Sequence, residues 1–190
     1  MRAFYEAFWA DAPQDPEPYE WERRRALLLA EVRPGDRVLD LGCGAGRFLA
    51  LLEDAVGVEL AEEAAARARA NVPGADVRVI ADDTLPVGHG EFDLVWCSEV
   101  LEHVPDVAAT LGEVRRVLRR GGRLLLTVPY HSRVQAAWIA LTRFESHFDP
   151  LGQHVRFFTR RSLVEALEFA GFEARVWRDG PFLVARAARG

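Results

Sequence analysis

The chain has 190 residues with a formal net charge of −5, 49% of them apolar and 28% charged. These proportions fit one soluble globular domain with a core large enough to be stable alone. No apolar run is long enough to span a bilayer, and the acidic balance argues against a nucleic-acid partner, whose phosphates call for a basic patch. The opening stretch MRAFYEAFWADAP is broken by Glu6 and Asp11 and makes a poor signal peptide, so a cytoplasmic location is expected.

Apolar runs alternate along the chain with helical patterns, which predicts a doubly wound α/β fold with a mostly parallel sheet. Residues 1–20 precede that pattern as an arm, aromatic first and then rich in proline. A helix is predicted over 19–32, a strand over 37–41, a helix over 46–53 and a strand over 55–59. A helix over 61–71, strands over 77–81 and 92–97, a helix over 106–119 and a strand over 123–128 follow. Residues 129–158 interrupt the alternation and read as an insertion after the fifth strand, a cap for a substrate; the arm at 1–20 reads as a lid or as a packing arm. A helix over 160–170 and strands over 172–177 and 182–187 complete the chain. Only four residues join the last two strands, too few for a crossover, so they form an antiparallel hairpin at the edge of a seven-stranded sheet. The whole chain, 1–190, is expected to be a single domain.

All 24 strongly basic residues are arginine. Two dense runs, Arg23-Arg24-Arg25 and the one from Arg115 to Arg120, fall on predicted helices and read as solvated faces. Cys43 and Cys97 have neither metal-like nor disulfide-like spacing and read as small residues buried at strand ends.

The stretch VLDLGCGAGRF places Gly42, Gly44 and Gly46 after the first strand. A dinucleotide fingerprint needs its third glycine where Arg47 stands, so that pattern fails. Asp40 would also repel a pyrophosphate, and it suits an ammonium group; as a plain alternative it could serve only the loop amides. Glu59 ends the second strand, where two carboxylate oxygens match the vicinal hydroxyls of a ribose. Asp82 and Asp83 follow the third strand, the first placed to accept from an adenine amino group and the second to offer its backbone N–H. Three strand ends thus bring acids to one crevice with no phosphate clamp. An adenosine with a cationic tail fits, and S-adenosylmethionine is such a molecule.

With these motifs in view, the sequence resembles the class I S-adenosylmethionine-dependent methyltransferases, in the small-molecule branch similar to the ubiquinone and menaquinone biosynthesis enzymes. The resemblance rests on VLDLGCGAGRF, VGVEL, ADDTLP, EFDLVWCSEVLEHV, LRRGGRLLLTVP and HVRFFTRRSLVEALEFAGF, and runs from about Trp21 to Arg186. It implies a Rossmann-like methyltransferase fold, S-adenosylmethionine as cofactor and S-adenosylhomocysteine as product. It further implies that Gly42, Cys43, Gly44 and Gly46 form the cofactor loop, that Asp40 orients the methionine part, that Glu59 holds the ribose, and that Leu60 packs on the adenine. Asp82 and Asp83 would read the adenine edge, and the Ser98 carbonyl would meet the methionine end. One departure is that the helix after Glu59 opens on Ala61-Glu62-Glu63, where a Ser or Asp cap is common.

The expected activity is methyl transfer to a small-molecule acceptor, through O, N or C, by in-line displacement. His103 is the first candidate base, and Glu99, Tyr130, His131 and His147 are candidates for the acceptor pocket. Glu99, Glu102 and His103 form an E-x-x-E-H cluster associated with a divalent metal in some relatives; adjacent helical residues diverge, and no metal is expected here. The aromatics of 1–20 and 129–158 point to an apolar or aromatic acceptor. A non-catalytic cofactor-binding protein and a nucleic-acid methyltransferase are the alternatives; Ser98-Glu99-Val100-Leu101 lacks the Pro-Pro-aromatic segment common in enzymes that methylate base amino groups. The oligomeric state is not legible in the sequence.

Overall fold

A computed structural model describes residues 2–81, 84–142 and 156–190. Seven strands form one sheet: β1 (Arg37–Leu41), β2 (Asp54–Glu59), β3 (Asp76–Val79), β4 (Phe92–Ser98), β5 (Leu118–Pro129), β6 (Phe172–Asp179) and β7 (Phe182–Arg189). Their order is β3-β2-β1-β4-β5-β7-β6. Strands β1 to β5 run parallel, and β7 is antiparallel to both β5 and β6. The expected hairpin therefore forms the edge, with β7 slotted against β5 and β6 outermost.

The helices are α1 (Arg2–Asp11), α2 (Trp21–Glu31), α3 (Glu62–Asn71), α4 (Val107–Val117), α5 (Arg133–Thr142) and α6 (Arg160–Phe169). Both faces of the sheet are covered, so central strands are apolar on both sides. In β4, Leu94 and Trp96 pack with Leu28 of α2, Phe48 and Phe182. Val95 and Cys97 point the other way, into a core with Leu111 and Val114 of α4 and Leu163 and Leu167 of α6. Chain order reverses across the sheet between β1 and β4. That switch point opens a crevice at the carboxyl ends of the strands.

Several boundaries differ from the sequence expectation. The helix expected over 46–53 is only a 3-10 turn, Leu49–Leu51. Twelve residues, 42–53, must return the chain from the end of β1 to the level of Arg37, which pairs with Asp54. The helix expected to reach 119 stops at Val117, because Leu118 already pairs with Phe92 as the start of β5. The irregular segments also contain helices: α1 lies within the arm and α5 within the insertion.

The missing cap of α3 is supplied from a distance. Ala61 at its N-cap offers no side-chain acceptor. Instead the Glu6 carboxylate of α1 accepts from the Glu62 N–H at 2.8 Å and the Glu63 N–H at 3.1 Å. These bonds hold the Glu6 carboxyl below its ordinary range, so their contribution is lost as pH falls through that lowered value. Arg2 adds a clasp, donating to the Leu60 carbonyl at 2.6 Å and to the Ile80 carbonyl. Replacing Glu6 by Ala is expected to cost about 1 kcal/mol in urea unfolding at neutral pH, the usual worth of an N-cap. An unchanged midpoint would show that α1 is not docked this way in solution.

Candidate functional site

The glycine loop follows β1 and is shaped by what surrounds it. The Gly42 and Cys43 amides both donate to the Val58 carbonyl of β2, at 2.8 and 3.2 Å. Gly42 sits at φ 75°, and a Cβ there would lie 2.6 Å from Cγ2 of Val100. Gly44, at φ 54°, would put a Cβ 3.2 Å from the Trp9 ring of α1. Gly46 packs against α3 instead, with Ala68 and Val72 as its neighbours. The Cys43 side chain is buried in a core cluster with Leu49, Ala65, Ala68 and Val77, so only its backbone serves the loop.

Two carboxyl groups flank the loop. Asp40 on β1 is 2% exposed and its Oδ2 has no hydrogen-bond partner. Burial, then the neighbouring Glu59, push its carboxyl up to about 7 against the pull of Arg24 and the Leu49 amide. Glu59 closes the loop onto β2: Oε2 accepts from the Gly44 N–H at 2.9 Å and Oε1 from the Leu60 N–H at 2.6 Å. Burial raises its carboxyl as well, and these amides oppose the rise. Oε1 also accepts from the Ala61 N–H at 3.4 Å, so it is Oε2 that keeps a lone pair for a ligand hydroxyl.

A chain of hydrogen bonds crosses the ends of β4 and β5. Arg24 of α2 donates from Nη1 to the Ser98 hydroxyl at 3.0 Å; Ser98 Oγ lies 2.9 Å from Thr127 Oγ1; and Thr127 Oγ1 donates to Glu99 Oε1 at 3.0 Å. Glu99 adopts φ 58°, a left-handed conformation that costs a non-glycine residue roughly 1–2 kcal/mol. Glu102 is 1% exposed with both carboxylate oxygens unpartnered. Burial raises both the Glu99 and Glu102 carboxyls, and the nearness of Glu99 raises Glu102 further. His103 lies beside Glu102, Nε2 to Oε1 3.7 Å, and meets the Tyr5 ring edge-to-face at 5.9 Å between centroids. The Tyr5 hydroxyl is buried without a partner, and burial together with Glu102 and Glu59 raises it far above its ordinary value.

The structure thus brings Asp40, Gly42, Gly44, Glu59, Ser98, Glu99 and His103 to the carboxyl ends of β1, β2 and β4 and the segments that follow them. Leu60 follows directly, and its carbonyl is taken by Arg2. Tyr130 stands at the end of β5 with the Arg178 guanidinium over its ring at 4.5 Å, and His131 meets Phe157 edge-to-face at 5.1 Å. Asp82, Asp83 and His147 lie outside the described residues.

Sequence reasoning missed two features. One is that the arm it read as a lid or packing arm forms a helix, α1, whose Trp9, Tyr5, Glu6 and Arg2 reach the loop, His103, α3 and the ends of β2 and β3; an aromatic-rich segment broken by acids hid its helical period. The other is Arg24, read as part of a solvated run but only 5% exposed. A signal for it existed: Trp21, Arg24 and Leu28 recur at helical spacing, so Arg24 shares the inward face of α2.

The arrangement fits an adenosine that carries an amino-acid tail. A loop free of side chains, a diol-matching carboxylate and an orphaned buried aspartate oxygen meet at the switch point. Comparison with known proteins agrees. Residues 9–175 match the methyltransferase-domain family, and the chain belongs to that family. Among curated relatives, the 27-O-demethylrifamycin SV methyltransferase of Amycolatopsis mediterranei is 32% identical over 178 residues, covering 76% of this chain and 65% of its own length. The ubiquinone biosynthesis O-methyltransferase of Aromatoleum aromaticum is 34% identical over 122 residues, covering 60% of this chain and 50% of its own. The chain therefore spans between half and two thirds of these relatives. Among solved structures, the S-adenosylmethionine-dependent methyltransferase of Mesorhizobium loti superposes with a TM-score of 0.67 at 25% identity, over 90% of this chain and 97% of that one.

The buried acids set a pH dependence. A carboxyl whose folded value lies above its unfolded value binds its proton more tightly when folded, so it costs stability as pH rises between the two. For Asp40 that window runs from 3.8 to about 7. Thermal melts are expected to show a midpoint falling across this interval, and less steeply in Asp40→Asn. A midpoint that rises equally in both proteins would mean that Asp40 is ionised in the folded protein throughout.

Proposed function

We propose that this chain transfers the methyl group of S-adenosylmethionine to a small-molecule acceptor. The observation that carries the proposal is the Asp40 carboxyl, buried beside the glycine loop with Oδ2 unpartnered. Such a group is costly unless a ligand donor completes it. Glu59 is the residue for the ribose diol, with Gly42 and Gly44 allowing close backbone approach. Leu60 is the candidate for packing on the adenine, Asp82 and Asp83 for its edge, and the Ser98 carbonyl for the methionine end.

When bound, S-adenosylmethionine supplies an electrophilic methyl on a sulfonium, whose departure leaves a neutral thioether. The protein must then hold the acceptor atom about 3–3.5 Å from that carbon and in line with the breaking bond. His103 and Glu99 border the space where the acceptor would stand. A neutral His103 imidazole takes the proton of a hydroxyl or amine acceptor, and its stacking on Tyr5 fixes the ring. Helix α1 serves as a lid that excludes water, supported by Glu6, Arg2 and Trp9 reaching the crevice from one helix. Tyr130, His131, Trp138 and Phe157 around β5 and α5 support an apolar or aromatic acceptor. The rifamycin and ubiquinone-pathway relatives, named for methylation of small organic molecules, support the same class. The acidic chain and the absence of any helix long and apolar enough to cross a membrane among the described residues are in keeping with a cytoplasmic enzyme.

Calorimetric titration tests this reading. The wild-type protein is expected to bind S-adenosylmethionine in preference to NAD and ATP, more tightly as pH rises through about 7 and Asp40 ionises. Glu59→Gln, which keeps an acceptor for the loop amide, is expected to weaken binding about tenfold or more by losing a charge-assisted bond. Preference for NAD, or equal affinity in the variant, would contradict the proposal.

A further inference from the structure

Acids line the cofactor crevice, whereas the segments around the end of β5 carry two cations with no acid partner among the described residues. Arg178 of β6 lies over the Tyr130 ring, its guanidinium carbon 4.5 Å from the centroid, and its Nε donates to the Gly180 carbonyl at 3.0 Å. Its two Nη groups make no hydrogen bond among the described residues. The adjacent acid, Asp179, is taken by Arg23 at 2.6 Å and so does not serve Arg178. Arg156 is the second cation. It gives Nε to the Val104 carbonyl at 3.1 Å and Nη2 to the Pro105 carbonyl, both uncharged. It leads into Phe157 and Phe158, and Phe158 forms a β-bridge with Tyr130.

Tyr130 fixes where Arg178 works. The Tyr130 N–H donates to the Pro181 carbonyl at 2.7 Å, which ties the ring to the β6–β7 turn beside Arg178. Arg178 stands opposite Leu183 of β7, and Leu183 opposite Val128 of β5, so the three share one face of the sheet. A guanidinium stacked on a ring spends its flat face there and keeps the N–H donors of its edge for a ligand. The ring also holds the side chain in place beforehand, so less freedom is lost when an anion binds. Along β5, Thr127 stands opposite Ser98, and Tyr130 follows three residues later. At about 3.3 Å per residue, the end of β4 and the Tyr130 ring are about 10 Å apart.

We infer that the acceptor is an elongated aromatic acid, whose carboxylate Arg178 holds beside Tyr130 while its nucleophilic end lies by Glu99 and His103. This rests on the methyl-transfer reading above and names the acceptor class for that same site. Arg178 then sets specificity, because the two Nη donors at the end of its planar fork meet both oxygens of a carboxylate. Arg156 adds positive charge at the same end of the site. The separation along β5 sets the length of the acceptor, with nucleophile and carboxylate about 10 Å apart.

The test compares two probes, 4-hydroxycinnamate, with a phenol at one end and a carboxylate at the other, and 4-hydroxycinnamyl alcohol, of similar shape without the charge. Binding of S-adenosylhomocysteine is measured first. Each probe is then titrated calorimetrically into the saturated wild type, Arg178→Gln and Arg178→Lys, with circular dichroism to confirm folding. The affinity ratio of the two probes is the readout, because general damage to the site lowers both affinities together. Wild type is expected to prefer the acid by about threefold to tenfold, a charge-assisted bond discounted for the solvent around an exposed arginine. Arg178→Gln is expected to abolish the preference, and Arg178→Lys, which keeps the charge and loses the fork, to retain part of it. A wild type that binds the two probes alike, or prefers the alcohol, overturns the inference. So does a preference that survives in Arg178→Gln, or binding of neither probe at millimolar concentration. Each of these outcomes leaves the cofactor reading standing when S-adenosylhomocysteine binds; failure of wild type to bind it overturns both.

Discussion

Charge that the fold buries without completing governs this structure. Asp40 and Glu59 sit at the carboxyl ends of β1 and β2, Glu102 follows β4, and Arg24 faces them from α2, all nearly excluded from water. Desolvation raises each carboxyl. A well-packed core of the same volume would be more stable with apolar residues in these places. Their retention has a local rationale in Glu59, which ties the glycine loop to β2 through Gly44. No such rationale covers Asp40 Oδ2 or the unused edge of Arg24. The sheet topology places both near the switch point, where α/β sheets bind ligands.

The rest of the molecule serves that crevice. The switch between β1 and β4 opens it. The glycines keep side chains out of it, Gly42 under Val100 and Gly44 under Trp9. Glu99 carries a left-handed backbone that Thr127 anchors through its carboxylate. Helix α1 reaches the loop through Trp9, and its Glu6 doubles as the cap that α3 lacks. Glycine loop, α1, α3 and strand ends are therefore linked through a few contacts.

Much of this was legible in the sequence, because it depends on local patterns. The run from Arg37 to Leu41 reads as a strand and is one, and the three glycines announce a turn that only they can make. Asp40 and Glu59 stood out as acids ending apolar strands. What escaped depends on partners remote in sequence. The 46–53 segment looks helical, yet only a 3-10 turn, Leu49–Leu51, forms there. The cap of α3 is 56 residues away, at Glu6. Arg24 is indistinguishable from Arg23 and Arg25 in composition, and only the helical period of Trp21 and Leu28 turns it inward.

The most direct test of the account is a crystal structure of the protein with S-adenosylhomocysteine bound. It should place the ribose hydroxyls on Glu59 and the amine of the tail on Asp40. A nucleoside bound elsewhere, or a tail that leaves Asp40 unpaired, would contradict the claim that these buried acids are completed by the cofactor.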